Sequence, residues 1–528
     1  MELSIHSFRW GLSLGSMGRT EMRGFDLDPK LRDLLRLAMA GAAMDIVMIL
    51  FVCIYLVSFN SGHPFVARSS VFVMLLLVAT IFRRGYLILQ SAGPSILWIV
   101  ILFAGGFGLI GLYLPAFGAN GVFGAEDVFS YINSGWEQSH YHLNPYTQLM
   151  RSVHGWQNDP MLIPLWVNYP LDYGFLFGWI TNWICQLGGG NLRLTLLLFK
   201  VANLVAWSAT GALLLKLARR LKIERPDLAL YLYLWNPFFT FQVIASGHND
   251  ILTVALVILA FYCIVVEFWL PVAPILTSAI MVKLIPVVIA PFALVYMVRR
   301  GGIKATLASL GASLVLLFVL AAPYVTHHFW PYLVRSLQLA LYPPEYSLTE
   351  FSSGAIVRIL SHIPGLHAAR STICLALGAL VFAGGVLVVL IQLGRFAQER
   401  EPSPGRLVAI WVFVEFVLIC VMSSVYHPWF IANVLPLALL VDRGHWLRRL
   451  CVVLSLTGLT WYALTEFVPL AFATMLGLPT LVTLCTDWRT VRSNLLGTWE
   501  RPGKYHVPAE NLVWTDAALE SRANKNTL

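Results

Sequence analysis

Four short runs hold the residues whose types and spacing suit chemistry. The first is Glu126-Asp127-Val128-Phe129-Ser130-Tyr131, followed downstream by Asn144-Pro145-Tyr146. Positions four apart share one face of a helix, so Asp127 and Tyr131 face the same way. A carboxylate so placed can take a proton from a hydroxyl, and partial desolvation would raise its pKa and make it a stronger base. Two acids at a helix start also have a plainer use, because they favour the first turn through the helix dipole. The second run, Ser246-Gly247-His248-Asn249-Asp250, offers His248 and Asp250 as hydrogen-bonding partners for a sugar or a phosphate; its plainer use is capping the helix that follows. Lys283 and Lys200 are cations set inside apolar stretches, and Tyr426-His427-Pro428-Trp429-Phe430 opens another such stretch.

The elements that must position these residues are set by composition. Of 528 residues, 58% are hydrophobic and only 12% are charged, about half the charge of a soluble domain. A soluble core of this size is excluded, since single cores stop growing near ~250–300 residues. Disorder, a coiled coil and a disulfide scaffold are excluded by the same figures. The seven cysteines lie in apolar stretches without metal-ligand spacing and read as small hydrophobes. The fold expected is all-α, a polytopic transmembrane helical bundle of about 12–14 spans, counting short and broken apolar runs. In such a bundle an embedded cation costs ~2.5–3.5 kcal/mol even on lenient scales. Lys283 is therefore a candidate for meeting a phosphate, with pairing to the embedded Asp45 or Glu415 as the alternative; Lys200 is open to either use or to snorkelling. An aromatic belt accounts for Tyr426 and Trp429 but not for His427.

Net charge is +9, and in a membrane protein the side on which cations gather matters more than the sign. With the N-terminus inside, 28 of the 36 lysines and arginines fall on the cytoplasmic side. If residues 169–187 crossed the bilayer, the basic cluster at 216–225 would be turned outside, so this aromatic segment is expected to lie along the outer surface. The chain then divides into a cytoplasmic N-terminal segment (1–37), a transmembrane domain (38–485) and a cytoplasmic tail (486–528). The domain carries a first outer loop at 118–193, with interfacial helices, and a second at 323–370. Ten of the thirteen histidines fall on the outer face, which places the chemistry there. No nucleotide-binding fingerprint or zinc signature occurs, so no cofactor, metal or nucleic-acid partner is expected.

The order of these motifs is similar to that of a known family. Asp127 with Tyr131, followed by Asn144-Pro145-Tyr146, resembles the first-loop motif of GT-C fold, polyprenyl-phosphate-sugar-dependent glycosyltransferases. The nearest likeness is to bacterial α-mannopyranosyltransferases and glycosyltransferase family 87. Asn236-Pro237, the run 247–250, Val282-Lys283 with Pro286, and Pro428-Trp429 resemble later landmarks in the same order. The family's Tyr-Pro-Pro-like segment falls at Tyr169-Pro170, where Leu171 replaces the second proline. The resemblance implies a GT-C-like fold and Asp127 as catalytic base. It implies substrate contacts at Tyr131, Asn144, Tyr146, Tyr169, His248, Asp250, Lys283, His427 and Trp429. The donor would be a polyprenyl-phosphate-linked sugar, most simply mannose, and the acceptor a glycolipid or polysaccharide at the outer face of the cell membrane. The alternative from another class is a secondary transporter or flippase of lipid-linked sugar, in which Asp45, Lys200, Lys283 and Glu415 form a path through the spans.

Overall fold

The computed structural model describes residues 28–114, 126–164, 170–326, 330, 370–423, 426–464, 468–488 and 491–492. Among them every regular element is helical and no strand occurs. The expected tail beyond 492, most of the second outer loop, and Tyr169 lie outside the described residues. The longer helices are α1 (Pro29–Asn60), α2 (Pro64–Ala92), α3 (Leu97–Tyr113), α4 (Glu126–Ser139), α5 (Phe175–Gly188), α6 (Leu192–Arg220) and α7 (Pro226–Leu234). They continue as α8 (Asp250–Val265), α9 (Val272–Val282), α10 (Ala290–Arg300), α11 (Gly302–Ala321), α12 (Arg370–Gln398), α13 (Pro404–Val417), α14 (Ile431–Ala438) and α15 (Trp446–Thr457).

Eight helices among the described residues are long and apolar enough to cross a membrane, and a bent pair makes a ninth if it counts as one span. That pair is α7 with the π-helical segment Phe239–Ala245, bent by 59°. The bend has a local cause at Asn236-Pro237. Proline cannot donate to the helix ladder, and Asn236 uses its Oδ1 to accept from the amide of Phe238 while its Nδ2 donates to Ser455 at 2.7 Å. Four further apolar helices, among them α8 and α9, have 10–17 residues. At about 1.5 Å per residue, each is too short to cross alone. They are the short and broken runs that lift the sequence-based number of spans above the eight or nine given by length.

Two features position the site. Residues 271–298 form the expected pair of short helices: α9, a 3-10 turn at Ile285–Val288, then α10. The far ends of the pair meet, since a Cβ on Gly301 would lie 2.8 Å from the Trp269 ring, so Lys283 is carried at the apex. The segment between α3 and α6 supplies α4 and α5, fourteen residues each. They pack closely because Gly135 has no side chain: a Cβ there would lie 2.4 Å from the Thr181 carbonyl. Val128, Tyr131, Phe177, Phe199, Val282 and Tyr324 form a second apolar core beneath them, separate from that of the main bundle.

Candidate active site

Asp127 sits in the first turn of α4 and reaches the loop 246–250. Its Oδ2 lies 3.2 Å from Nδ1 of His248. The approach depends on Gly247, which has φ +77° and on which a Cβ would lie 2.9 Å from Cγ2 of Val128. The π-helical segment Phe239–Ala245 leads into this loop, and Asn203 on α6 donates to the carbonyls of Val243 and His248 at 2.9 Å each. The imidazole of His248 is stacked on Trp429, centroids 3.9 Å apart and planes within 10°. His427 stacks on the same indole at 4.3 Å and 4°. Trp429 is only 5% exposed, so its stacking surface serves the two imidazoles and is closed to a sugar ring.

A second group meets on the other side of His248. Nζ of Lys283 donates to Oδ1 of Asp250 at 2.8 Å, and Asn433 donates to the same oxygen at 2.6 Å. The ammonium also lies 4.5 Å from the Phe430 ring centroid and 5.9 Å from that of Tyr173, within cation–π range. Lys283 therefore pairs neither with Asp45 nor with Glu415. Tyr173 is held by its hydroxyl, 3.2 Å from that of Tyr131, and by Gly174, on which a Cβ would lie 2.5 Å from the backbone of Met281. Gly174 thus docks the segment before α5 onto the end of α9 that carries Lys283.

The electrostatics follow from this gathering. Burial raises the pKa of Asp127, but the hydrogen bond with His248 and the charges of His248, His427 and Lys283 lower it by more, leaving it below the usual carboxyl value. The sequence-based expectation of a raised pKa is corrected: the surrounding donors outweigh desolvation. Asp127 is thus ionised at neutral pH, a weaker base that is always available. Desolvation pushes His427 down to about 4, so it is neutral there. Asp172 is pushed up to about 6 by desolvation and then by the charge of Asp127. The Asp127 side chain is 22% exposed, and the influence of its charge on Asp172 makes the two carboxylates neighbours. Asp172 was not singled out in the sequence; its place next to Tyr169-Pro170 was the only signal.

Asn144 and Tyr146 do other work. Asn144 donates to the Tyr324 carbonyl at 2.9 Å and its Oδ1 accepts from the Tyr146 amide, while the Tyr146 hydroxyl donates to the Gly174 carbonyl at 2.9 Å. These bonds tie the segment between α4 and α5 to itself and to Tyr324, and Tyr169 lies outside the described residues. Several buried polar atoms of the site have no partner in the protein: Nε2 of His248, Nδ1 of His427, Oδ2 of Asp250, Oδ1 of Asn433 and both side-chain polar atoms of Asn249. Such atoms call for a ligand or water. Lys200 is elsewhere: its Nζ donates to the carbonyls of Leu114 and Leu112, just past the C-terminal end of α3. Among the described residues no three or more His, Cys, Asp or Glu gather as metal ligands.

Comparisons with known proteins agree with the motif order. Residues 113–299 match a family model described as alpha-(1->6)-mannopyranosyltransferase, N-terminal domain. That stretch contains Asp127, His248, Asp250 and Lys283 but not His427 or Trp429. The chain is 29% identical over 136 residues to alpha-(1->6)-mannopyranosyltransferase A of Corynebacterium glutamicum, covering 25% of this chain and 26% of that protein. The match thus spans about a quarter of the relative's length. Over residues 113–299 this chain is similar to the N-terminal domain of alpha-(1->6)-mannopyranosyltransferases, in agreement with the resemblance read from its motifs.

Proposed function

We propose that the protein is an integral-membrane mannosyltransferase that moves a hexose from a polyprenyl-phosphate sugar to a glycolipid or envelope glycan at the extracytoplasmic face. Asp127 deprotonates the acceptor hydroxyl, whose oxygen attacks the anomeric carbon. The bond from that carbon to the phosphate oxygen breaks, the electron pair leaves on the phosphate, and the anomeric configuration inverts. Charge on the phosphate rises as the bond breaks, so a cation beside it favours the transition state over the ground state. Lys283 is the ammonium nearest to hand, paired to Asp250 at 2.8 Å. The observation that carries this reading is the meeting of Asp127, His248, Asp250, Lys283 and Trp429, which come from four separate segments of the chain.

The transporter reading loses support from the same contacts. Of the four embedded groups it needs, Lys200 is bonded to the backbone end of α3 and Lys283 belongs to the polar cluster around Asp250. The test is Asp127→Asn in purified protein supplied with polyprenyl-phosphate mannose and a glycolipid acceptor. Removal of a general base lowers turnover by ~10²–10⁴-fold, while donor binding is kept. Unchanged turnover would refute the base assignment, and uptake of lipid-linked sugar into sealed vesicles without a new glycosidic bond would favour transport.

A further inference from the structure

We infer that His248 is a positioning residue for Asp127, a buried donor that fixes the carboxylate's charge and orientation, and not a contact for the departing phosphate. The inference rests on the reading of Asp127 as base. An ionised carboxylate only accepts hydrogen bonds, so at 3.2 Å from Oδ2 the Nδ1 of His248 carries the proton. The ring's other nitrogen, Nε2, is buried without a partner. His248 is 0% exposed whereas the Asp127 side chain is 22% exposed. A hydroxyl or phosphate arriving from outside the packed protein therefore meets Asp127 and not the imidazole. Three constraints hold the ring: stacking on Trp429, the Asn203 bond to its own carbonyl, and the left-handed turn at Gly247. With Oδ2 engaged, Oδ1 is the oxygen free to receive the acceptor's proton. The acceptor's O–H bond breaks, the proton moves to Oδ1, and the electron pair left on the acceptor oxygen forms the bond to the anomeric carbon.

The groups that face Asp127 come from every element around it. They are Tyr131 from its own helix, His248 from the loop before α8, Asp172 and Tyr173 from the segment before α5, Lys283 after α9, and His427 before α14, with Asp250 from the start of α8 acting on Tyr131 and His427. Of the influences that lower its pKa, the hydrogen bond with His248 is the largest.

Two variants separate donation from packing. His248→Phe keeps an aromatic ring against Trp429 and removes the donor; His248→Asn loses the ring but keeps a donating nitrogen near the Nδ1 position. Infrared titration of the Asp127 carboxyl, assigned by its loss in Asp127→Asn, is made on the full chain without donor, alongside the pH profile of kcat/KM. In His248→Phe the carboxyl midpoint and the acid limb both move to higher pH, and kcat falls about 10- to 100-fold, the loss expected for one charge-assisted hydrogen bond. In His248→Asn both return toward the wild-type position. A midpoint unmoved in His248→Phe, or moved more by Asn than by Phe, overturns the inference and leaves His248 a packing residue. A midpoint that moves as expected in a protein without transferase activity supports the inference about the carboxyl and sinks the proposed function instead.

Discussion

Glu137 lies one turn and a half beyond Tyr131 on α4, is 5% exposed, and burial pushes its pKa up to about 8. Its ordinary value is 4.5, so folding takes up a proton across the interval between these values. Stability from this group is complete below about pH 4.5 and is lost as pH rises toward 8. Glu137→Gln removes the titration. Its unfolding transition in detergent should be less pH-dependent, with a gain of about 1–3 kcal/mol over wild type at pH 8 and none at pH 4.5; a gain equal at both would show that the carboxyl is not held neutral. At this scale the sequence was legible where polarity interrupts apolar runs, as at His248, Asp250 and Lys283. It was not legible where the cause is three-dimensional. The lowered pKa of Asp127 needs His248, Lys283 and His427, which are distant in the chain, and the role of Trp429 needs His248 as well as the neighbouring His427.

Among the elements, glycines without a motif decide the geometry. Gly174 has φ −72°, an angle any residue adopts, so only the contact with Met281 requires it. A methyl there would lie 2.5 Å from backbone atoms that cannot rotate away. Gly174→Ala should therefore lift the segment carrying Asp172 and Tyr173 off α9. A misplacement near 1 Å costs on the order of 10²-fold in rate, so turnover should fall at least tenfold, while Gly311→Ala, with open space around its Cβ, stays near wild type. Equal turnover in the two variants would show that the α9 contact does not set the site. The helices themselves were readable from apolar runs, including the break at Lys283 and Pro286. The π-helical turns Phe239–Ala245 and Leu418–Met422, which lead toward the two histidines, were not. A one-residue change in hydrogen-bond register leaves no mark on composition. Lys200 was likewise ambiguous, because a cation that closes the end of another helix reads in sequence like any buried lysine.

Across the whole molecule, the candidate site and the basic residues stand at opposite ends. α6 runs 29 residues, about 43 Å at 1.5 Å per residue, from Asn191 beside α5 to Arg219 and Arg220. At that far end Arg225 donates to the carbonyls of Leu89 and Gln90, Arg443 bonds to Tyr86, and Arg299 bonds to the carbonyl of Ala397. Arg225, Arg299 and Arg443 thus bond to groups near the C-terminal ends of α2 and α12. Because lysine and arginine are retained in the cytoplasm, the orientation we propose has this end inward and Asp127 outward. The prediction is one of labelling. In a background without native cysteines, Gln148→Cys, exposed in the first outer loop, should react with a membrane-impermeant thiol reagent on intact cells. Arg219→Cys, exposed at the basic end, should react only after the cells are opened. The reverse pattern would turn the molecule over and bring Asp127 to the cytosolic face, where an acceptor beyond the membrane is out of its reach.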